Sequence, residues 1–170
     1  MKTSLSQHSL EPNWRPHRRI LDRRIPRPLL CWLLDPESLT ARIQQACEGR
    51  FEVAVLGEGW ATPMRDETLA LGMRRKVYGW VRHVQLLCNG RPWVFARTVI
   101  PRATLSGAQR RLARLGSRPL GAVLFSNTRM RRGELEVAVI EPDQRLFAEA
   151  VQGLAPPPER IWGRRSVFEL

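Results

Sequence analysis

Residues 78–101 read YGWVRHVQLLCNGRPWVFARTVIP, two apolar and aromatic runs on either side of Asn89-Gly90. Both central positions of a two-residue type I′ turn need φ > 0, and Asn-Gly accepts that conformation readily. The stretch therefore predicts a β-hairpin whose turn sets the register. Cys88 falls opposite Arg91, Leu86 opposite Trp93, Val84 opposite Phe95, Arg82 opposite Arg97 and Trp80 opposite Val99. The face carrying Trp80, Val84, Leu86, Trp93, Phe95 and Val99 is suited to burial. The reverse face, with Val81, His83, Gln85, Val94, Ala96 and Thr98, is mixed. Pro92 is the point at which a slip would break this register.

Two arginines interrupt the apolar face and, in this register, oppose one another. Like charges directly opposite are destabilising, and an unpaired buried charge costs several kcal/mol. An anion must therefore sit between or above Arg82 and Arg97. One source is an internal carboxylate, such as Glu134, Glu136 or Glu141, in a structural network. The other is a bound ligand whose carboxylate meets the planar guanidinium fork. The aromatic surroundings suit a small ring-shaped acid, which favours the ligand. On that reading, loss of Arg82 costs binding more than folding and relieves Arg97 of a repulsive neighbour.

Ahead of the hairpin, PLLCWLLDPESLTARIQQACEG predicts a helical region. Ser38 is placed to cap a helix whose Leu39, Ile43 and Ala46/Cys47 recur at i, i+4 and i+7/8, and Gly49 is placed to stop it. RFEVAVLGEGW alternates as a strand with Phe51, Val53 and Val55 on one face. ATPMRDETLALGMRR reads as a long polar connection suited to a mobile cover. Beyond the hairpin, a helix is expected from Thr104 or Ser106 to Gly116, then a strand in ELEVAVIEP, and IWGRRSVFEL ends the chain. Strands outnumber helices and the clearest connection is a hairpin, so the expected class is α+β with antiparallel strands. Residues 1–28 are basic, proline-bearing and without periodicity; we read them as a loosely packed lead-in to a single domain over 29–170.

Composition bounds the function. A chain of 170 residues, 43% hydrophobic with a mean hydropathy of -0.32, has the balance of a soluble globular protein. No apolar run approaches the roughly 20 residues needed to span a bilayer, and the N-terminus lacks the apolar segment of a secretory signal. The formal net charge is +12, with arginine runs at 15–27, 110–114 and 129–132 that read as solvated surface. No zinc-finger spacing, RNP-type strand or helix-turn-helix accompanies them, so we expect no nucleic-acid partner. Cys31, Cys47 and Cys88 are odd in number and scattered. They fit neither a disulfide framework nor a zinc site, and a reducing cytoplasm is the simplest setting for them. The chain lacks the GxSxG, HExxH and CxxC motifs and any phosphate-cradling loop. His83 reads as a solvated strand residue rather than a general base.

Four stretches carry a resemblance. WLLDPESLTARI (32–43), WVRHVQLLCNGRPWVFARTVIP (80–101), LSGAQRRLARLGSRPLGAVLF (105–125) and WGRRS (162–166) resemble the chorismate pyruvate-lyase family, in the same order. The resemblance implies an antiparallel sheet with helices on one side, an internal site under flaps, and cleavage of chorismate to 4-hydroxybenzoate and pyruvate with no cofactor or metal. It implies a cytoplasmic, monomeric enzyme of ubiquinone biosynthesis that does not insert into membranes. The family's ring-carboxylate arginine falls on Arg82 and its second site arginine on Arg97. A leucine contributing its backbone falls on Leu120, and a helix position that is often methionine falls on Leu39. After WGRRS the family continues into a last strand bearing a glutamate that meets the ring hydroxyl. This chain ends at Leu170, and Glu169 does not match that motif, so against the resemblance either the C-terminus is truncated or the site lacks that glutamate, and a missing last strand leaves a sheet edge unpaired. A non-catalytic binder of a small aromatic acid, like related effector-binding domains, is the alternative.

Overall fold

The Asn89-Gly90 turn forms as those residues demand, with φ of +50° and +74°. In the computed structural model, which describes residues 11–19 and 25–170, it joins β3 (Gly79–Cys88) to β4 (Arg91–Pro101). The register departs from the expected one within three residues of the turn. Cys88 faces Arg91 and Leu87 faces Pro92, but Leu86 then faces Val94, so Trp93 is the extra residue of a β-bulge. Proline has no N–H to give to the ladder, and the bulge lies beside it. From there the pairing runs Gln85 to Phe95, Val84 to Ala96, His83 to Arg97, Arg82 to Thr98 and Val81 to Val99. A slip of one residue moves side chains to the other face. Arg82 therefore shares its face with Val84, Leu86, Val94, Ala96 and Thr98, while Arg97 lies on the opposite face with His83, Gln85, Phe95 and Val99. The two arginines do not oppose each other.

β2 (Phe51–Ala61) pairs with the other edge of β3, placing Phe51, Val53 and Val55 opposite Cys88, Leu86 and Val84, on one face as expected. A second bulge, between Val55 and Gly57, then sets Glu58 opposite Arg82. Before β2, α1 (Arg27–Leu33) and α2 (Leu39–Ala46) form the helical region, and the Ser38 hydroxyl accepts from Ala41 N–H as the cap of α2. α2 ends at Cys47, two residues short of Gly49. Ile43 of α2 packs on Val84 and Leu86, with Trp32, Leu39, Phe51, Val53, Val94 and Ala96 around them. This core coats the Arg82 face.

Two of the three scattered cysteines are paired, against the expectation from sequence. Cys47 and Cys88 form a disulfide, and Cys31 is free and exposed. The sequence separation of 41 hides a short distance in space. Asn89 accepts from Arg50 N–H (2.8 Å) and donates to the Glu48 carbonyl (3.2 Å), clasping the end of α2 to the end of β3. Gly49, at φ +145°, leaves room for that amide: a Cβ there would lie 2.2 Å from Asn89 Oδ1. With the disulfide in place, the cysteines no longer argue for a reducing compartment.

The class is α+β with antiparallel strands, but among the described residues the strands divide among three sheets rather than one. Their orders are β2-β3-β4, β1-β6-β7 and β5-β8. β1 (Arg15–Pro16), from the expected lead-in, pairs with β6 (Glu136–Ile140), which pairs with β7 (Ile161–Arg165). β5 (Arg131–Arg132) pairs with β8 (Phe168–Glu169). Ile25, Leu33 and Val137 form the core between α1 and the β6–β7 pair. The expected polar cover contains α3 (Arg65–Ala70), and the expected helix after the hairpin is a 3₁₀ segment over Gly107–Arg114. α4 (Leu120–Phe125) follows, and α5 (Arg145–Ala150) lies between β6 and β7. Helices reach both faces of the β2–β4 sheet: α2 on the Arg82 face, and α3 and α5 on the Arg97 face through Glu67 and Glu149.

Candidate active site

Arg82 is 3% exposed in the middle of the central strand. Its Nε lies 3.4 Å from Glu58 Oε2, an ion pair without the alignment of a hydrogen bond. Its Nη2 donates to the carbonyls of Gly116 and, at 3.4 Å, Arg118. Gly116, at φ +56°, makes the left-handed turn that ends the 3₁₀ segment and aims these carbonyls at the guanidinium. Burial lowers the pKa of Arg82, and the carboxylate of Glu58 opposes that shift. Glu58, not the Glu134, Glu136 or Glu141 considered from sequence, is the internal partner. Its signal was present in GEGW, where the bulge turns a glycine-flanked glutamate onto the arginine's face.

Three residues beyond Gly116, Pro119 starts α4 at Leu120. This helix meets the first turn of α2 closely: a Cβ on Gly121 would lie 3.0 Å from Ser38 Oγ. Leu39 and Leu120, the first residues of two abutting helices, thus stand near one another. With Arg82 and Arg97 they line one cavity of about 870 Å³. Its wall includes every residue of 92–99 and of 160–168, so it runs between β4 and β7 and meets both faces of β4. All four residues singled out from sequence border this space, but Arg82 and Arg97 approach it from different faces.

Arg97 is held by carboxylates of its own. Its Nε and Nη2 donate to the two oxygens of Glu67 on α3 at 2.6 and 3.1 Å, and Nη1 reaches Glu149 Oε2 at 3.3 Å. The same Nη1 donates to His83 Nε2. A guanidinium has no acceptor, so Nε2 must accept and the imidazole is neutral with its proton on Nδ1. Burial, then the charge of Arg97, lowers the pKa of His83, in agreement. Glu67 also accepts from Met64 N–H (2.8 Å), and Glu11 accepts from the N–H groups of Arg65 and Asp66 (2.7 and 2.9 Å), so two carboxylates satisfy the first turn of α3. The expected mobile cover is in fact a capped helix pinned to Arg97.

The WGRRS motif places further cations around the cavity. Arg164 donates to the carbonyls of Trp32 (3.0 Å), Asp35 (2.6 Å) and Glu37 (3.1 Å), satisfying the end of α1 and the approach to α2. Burial and the neighbouring charge of Arg132 push its pKa down to about 10. Arg165 donates to Glu136 (2.7 Å) and Asp66 (2.9 Å) and covers the Trp14 ring. Arg132 donates to Ser166 Oγ (2.9 Å) and the Pro36 carbonyl. Arg164 and Arg132 hold the loop that presents Ser38 and Leu39, a role that sequence spacing did not disclose.

Comparison with known proteins adds a line of evidence independent of this geometry. The family model described as "Chorismate lyase" matches residues 14–170, starting eighteen residues before the stretch at Trp32 and so taking in Trp14 and β1. The chain is 42% identical over 163 residues to a probable chorismate pyruvate-lyase of Aromatoleum aromaticum, covering 92% of this chain and 88% of that one. It is 42% identical to one of Methylococcus capsulatus over 82% of this chain and 85% of that protein. A third, of Pseudomonas syringae pv. tomato, is 38% identical over 96% and 86% of the two chains.

Proposed function

The chain belongs to the chorismate lyase family, and from that premise we propose that it removes pyruvate from chorismate to leave 4-hydroxybenzoate. The observation that carries the reading is Arg82, a nearly fully buried guanidinium in the wall of a largely apolar cavity. A charge there acts at low dielectric, where attraction for a carboxylate is far stronger than in water. Arg82 receives the ring carboxylate, and the first turns of α2 and α4, at Leu39 and Leu120, hold the ring. Arg97 is the second site arginine. Because Glu67 already occupies its fork, it reaches substrate only where that carboxylate shares or yields its hold.

The reaction asks little covalent chemistry of the protein. The bond between the ring and the enolpyruvyl oxygen breaks and the ring loses one hydrogen as a proton. The departing enolpyruvate gains a proton on its methylene carbon to become pyruvate. Aromatisation supplies the drive, so the protein's contribution is to hold the reactive conformer and to stabilise charge developing on the leaving group. The same reading takes the protein as a cytoplasmic monomer that works without a cofactor and supplies the ubiquinone ring.

Incubation of the purified protein with chorismate, followed at the ultraviolet band of 4-hydroxybenzoate, is the test. Product formation above the spontaneous rate is expected. No product from folded protein overturns the reading. Calorimetric binding of 4-hydroxybenzoate without turnover then leaves a binder of aromatic acids in its place.

A further inference from the structure

Charge is distributed very unevenly along this chain. Between Glu67 and Glu134 there is no Asp or Glu, yet the stretch holds 14 of the 28 lysines and arginines. Some of those cations are used internally, as Arg82, Arg97 and Arg132 are. Others are exposed and form no ion pair among the described residues. Four of these, Arg74, Arg75, Lys76 and Arg102, gather at one end of the β2–β4 sheet. The register places them there: Ala61 faces Gly79, and Gly79 faces Pro101. The end of β2, the loop entering β3 and the residue leaving β4 therefore meet.

The same end exposes large apolar and amphipathic side chains. Trp60 is 50% exposed and Tyr78 59%, and Val77 beside it is also open to solvent. Trp60 stands edge-on to Trp80 at 5.6 Å, which fixes its ring rather than leaving it to fold back onto the protein. The nearest carboxylate along β2, Glu58, is committed to Arg82. A solvated basic loop would not need an aliphatic residue and two aromatic rings among its cations. An anionic lipid surface uses both, since cations are drawn to the headgroup charge while tryptophan and tyrosine rings settle at the headgroup level.

We propose that this end of the sheet, built from Trp60, Arg74, Arg75, Lys76, Tyr78 and Arg102, docks the protein on the surface of anionic lipid bilayers. Nucleic-acid phosphates would satisfy the cations but would leave Val77 and the ring faces with less to gain. The inference does not depend on the lyase reading, since it uses no residue of the cavity.

Cosedimentation with vesicles of phosphatidylcholine alone, and of phosphatidylcholine with about 30% phosphatidylglycerol, tests it at low and high salt. Binding to the anionic vesicles at low salt, little to the neutral ones, and release at high salt are expected. Arg74→Glu/Arg75→Glu/Lys76→Glu should weaken vesicle binding by about a hundredfold or more, at about fivefold per cation lost, and leave chorismate turnover unchanged. Tyr78→Ser should weaken binding while keeping its salt dependence. Undiminished binding by the triple variant overturns the proposal, as does no preference for anionic vesicles. Tighter, equally Arg74–Lys76-dependent binding to a duplex DNA or RNA oligonucleotide overturns the lipid assignment and makes the patch a nucleic-acid surface.

Discussion

Arg82 answers to two partners at once, Glu58 beside it and the carbonyls of the 116–118 turn above it. Removing it leaves a partly exposed carboxylate and two carbonyls without their cation, and since Arg97 lies on the other face of the strand pair, the relief of repulsion expected from the sequence register does not occur. Arg82→Ala should therefore lose about 2–4 kcal/mol of stability in denaturant unfolding, less than a fully buried pair because Glu58 is partly exposed. It should also abolish the upward shift of Tm produced by 4-hydroxybenzoate. Arg82→Lys should recover stability more than binding, since a point charge cannot reproduce the fork. An Arg82→Ala protein that keeps its ligand-induced shift would remove Arg82 from the site. His83 gives a pH prediction with a definite sign. Its folded pKa lies below the ordinary 6.5 because burial and Arg97 disfavour the cation. As pH falls below about 6.5 the unfolded chain binds a proton that the folded one refuses, so stability drops until the folded pKa is reached. His83→Gln should flatten that limb of the stability–pH profile, and an unchanged slope would place its origin elsewhere. The existence of a buried arginine in an apolar strand was legible in the sequence. Its partner was not, because one bulged residue on each flanking strand decides who stands opposite whom.

At the scale of elements, the structure depends on short helices made firm by what they touch. α2 is 8 residues long, too short to hold itself in water, yet it carries Leu39 and packs Ile43 into the core. Its start is capped by Ser38, and its end is tied to β3 by Asn89 and by the Cys47–Cys88 disulfide. Closing a loop of 41 residues removes entropy from the unfolded chain worth about 4 kcal/mol on the loop-entropy account. Thiol titration of the denatured, unreduced protein should give one reactive thiol, Cys31, and three after reduction, with a marked fall in Tm. Three thiols before reduction would show the pair open. The helix start at Ser38 and the strand at Phe51 could be read from local residues alone. The disulfide could not, since Cys47 and Cys88 meet only after α2 has folded back on β3. α3 shows the same limit: RDETLA looked like polar connection because the carboxylate of Glu11 that helps to cap it comes from 54 residues away.

At the scale of the molecule, a cavity borders three regions distant in sequence: α2, β4 and the WGRRS strand. What the sequence by itself determined is what depends on near neighbours. The Asn89-Gly90 turn follows from φ > 0 at both positions, the antiparallel class from a two-residue connection, the capped α2 from Ser38. The family was legible from motif order. What only the tertiary structure decided is what depends on register and on distant pairing. The bulges at Trp93 and after Val55 put Arg82 with Glu58 and sent Arg97 to the other face, to Glu67, Glu149 and His83. The described strands divided into three sheets, and Arg164 of WGRRS became a cap for the end of α1. The physical reason is the same in each case. A turn or a cap is set by the dihedral angles and donors of a few adjacent residues. The partner of a buried charge is chosen by which long-range packing leaves fewest charges and carbonyls unsatisfied, and no local stretch of sequence carries that comparison.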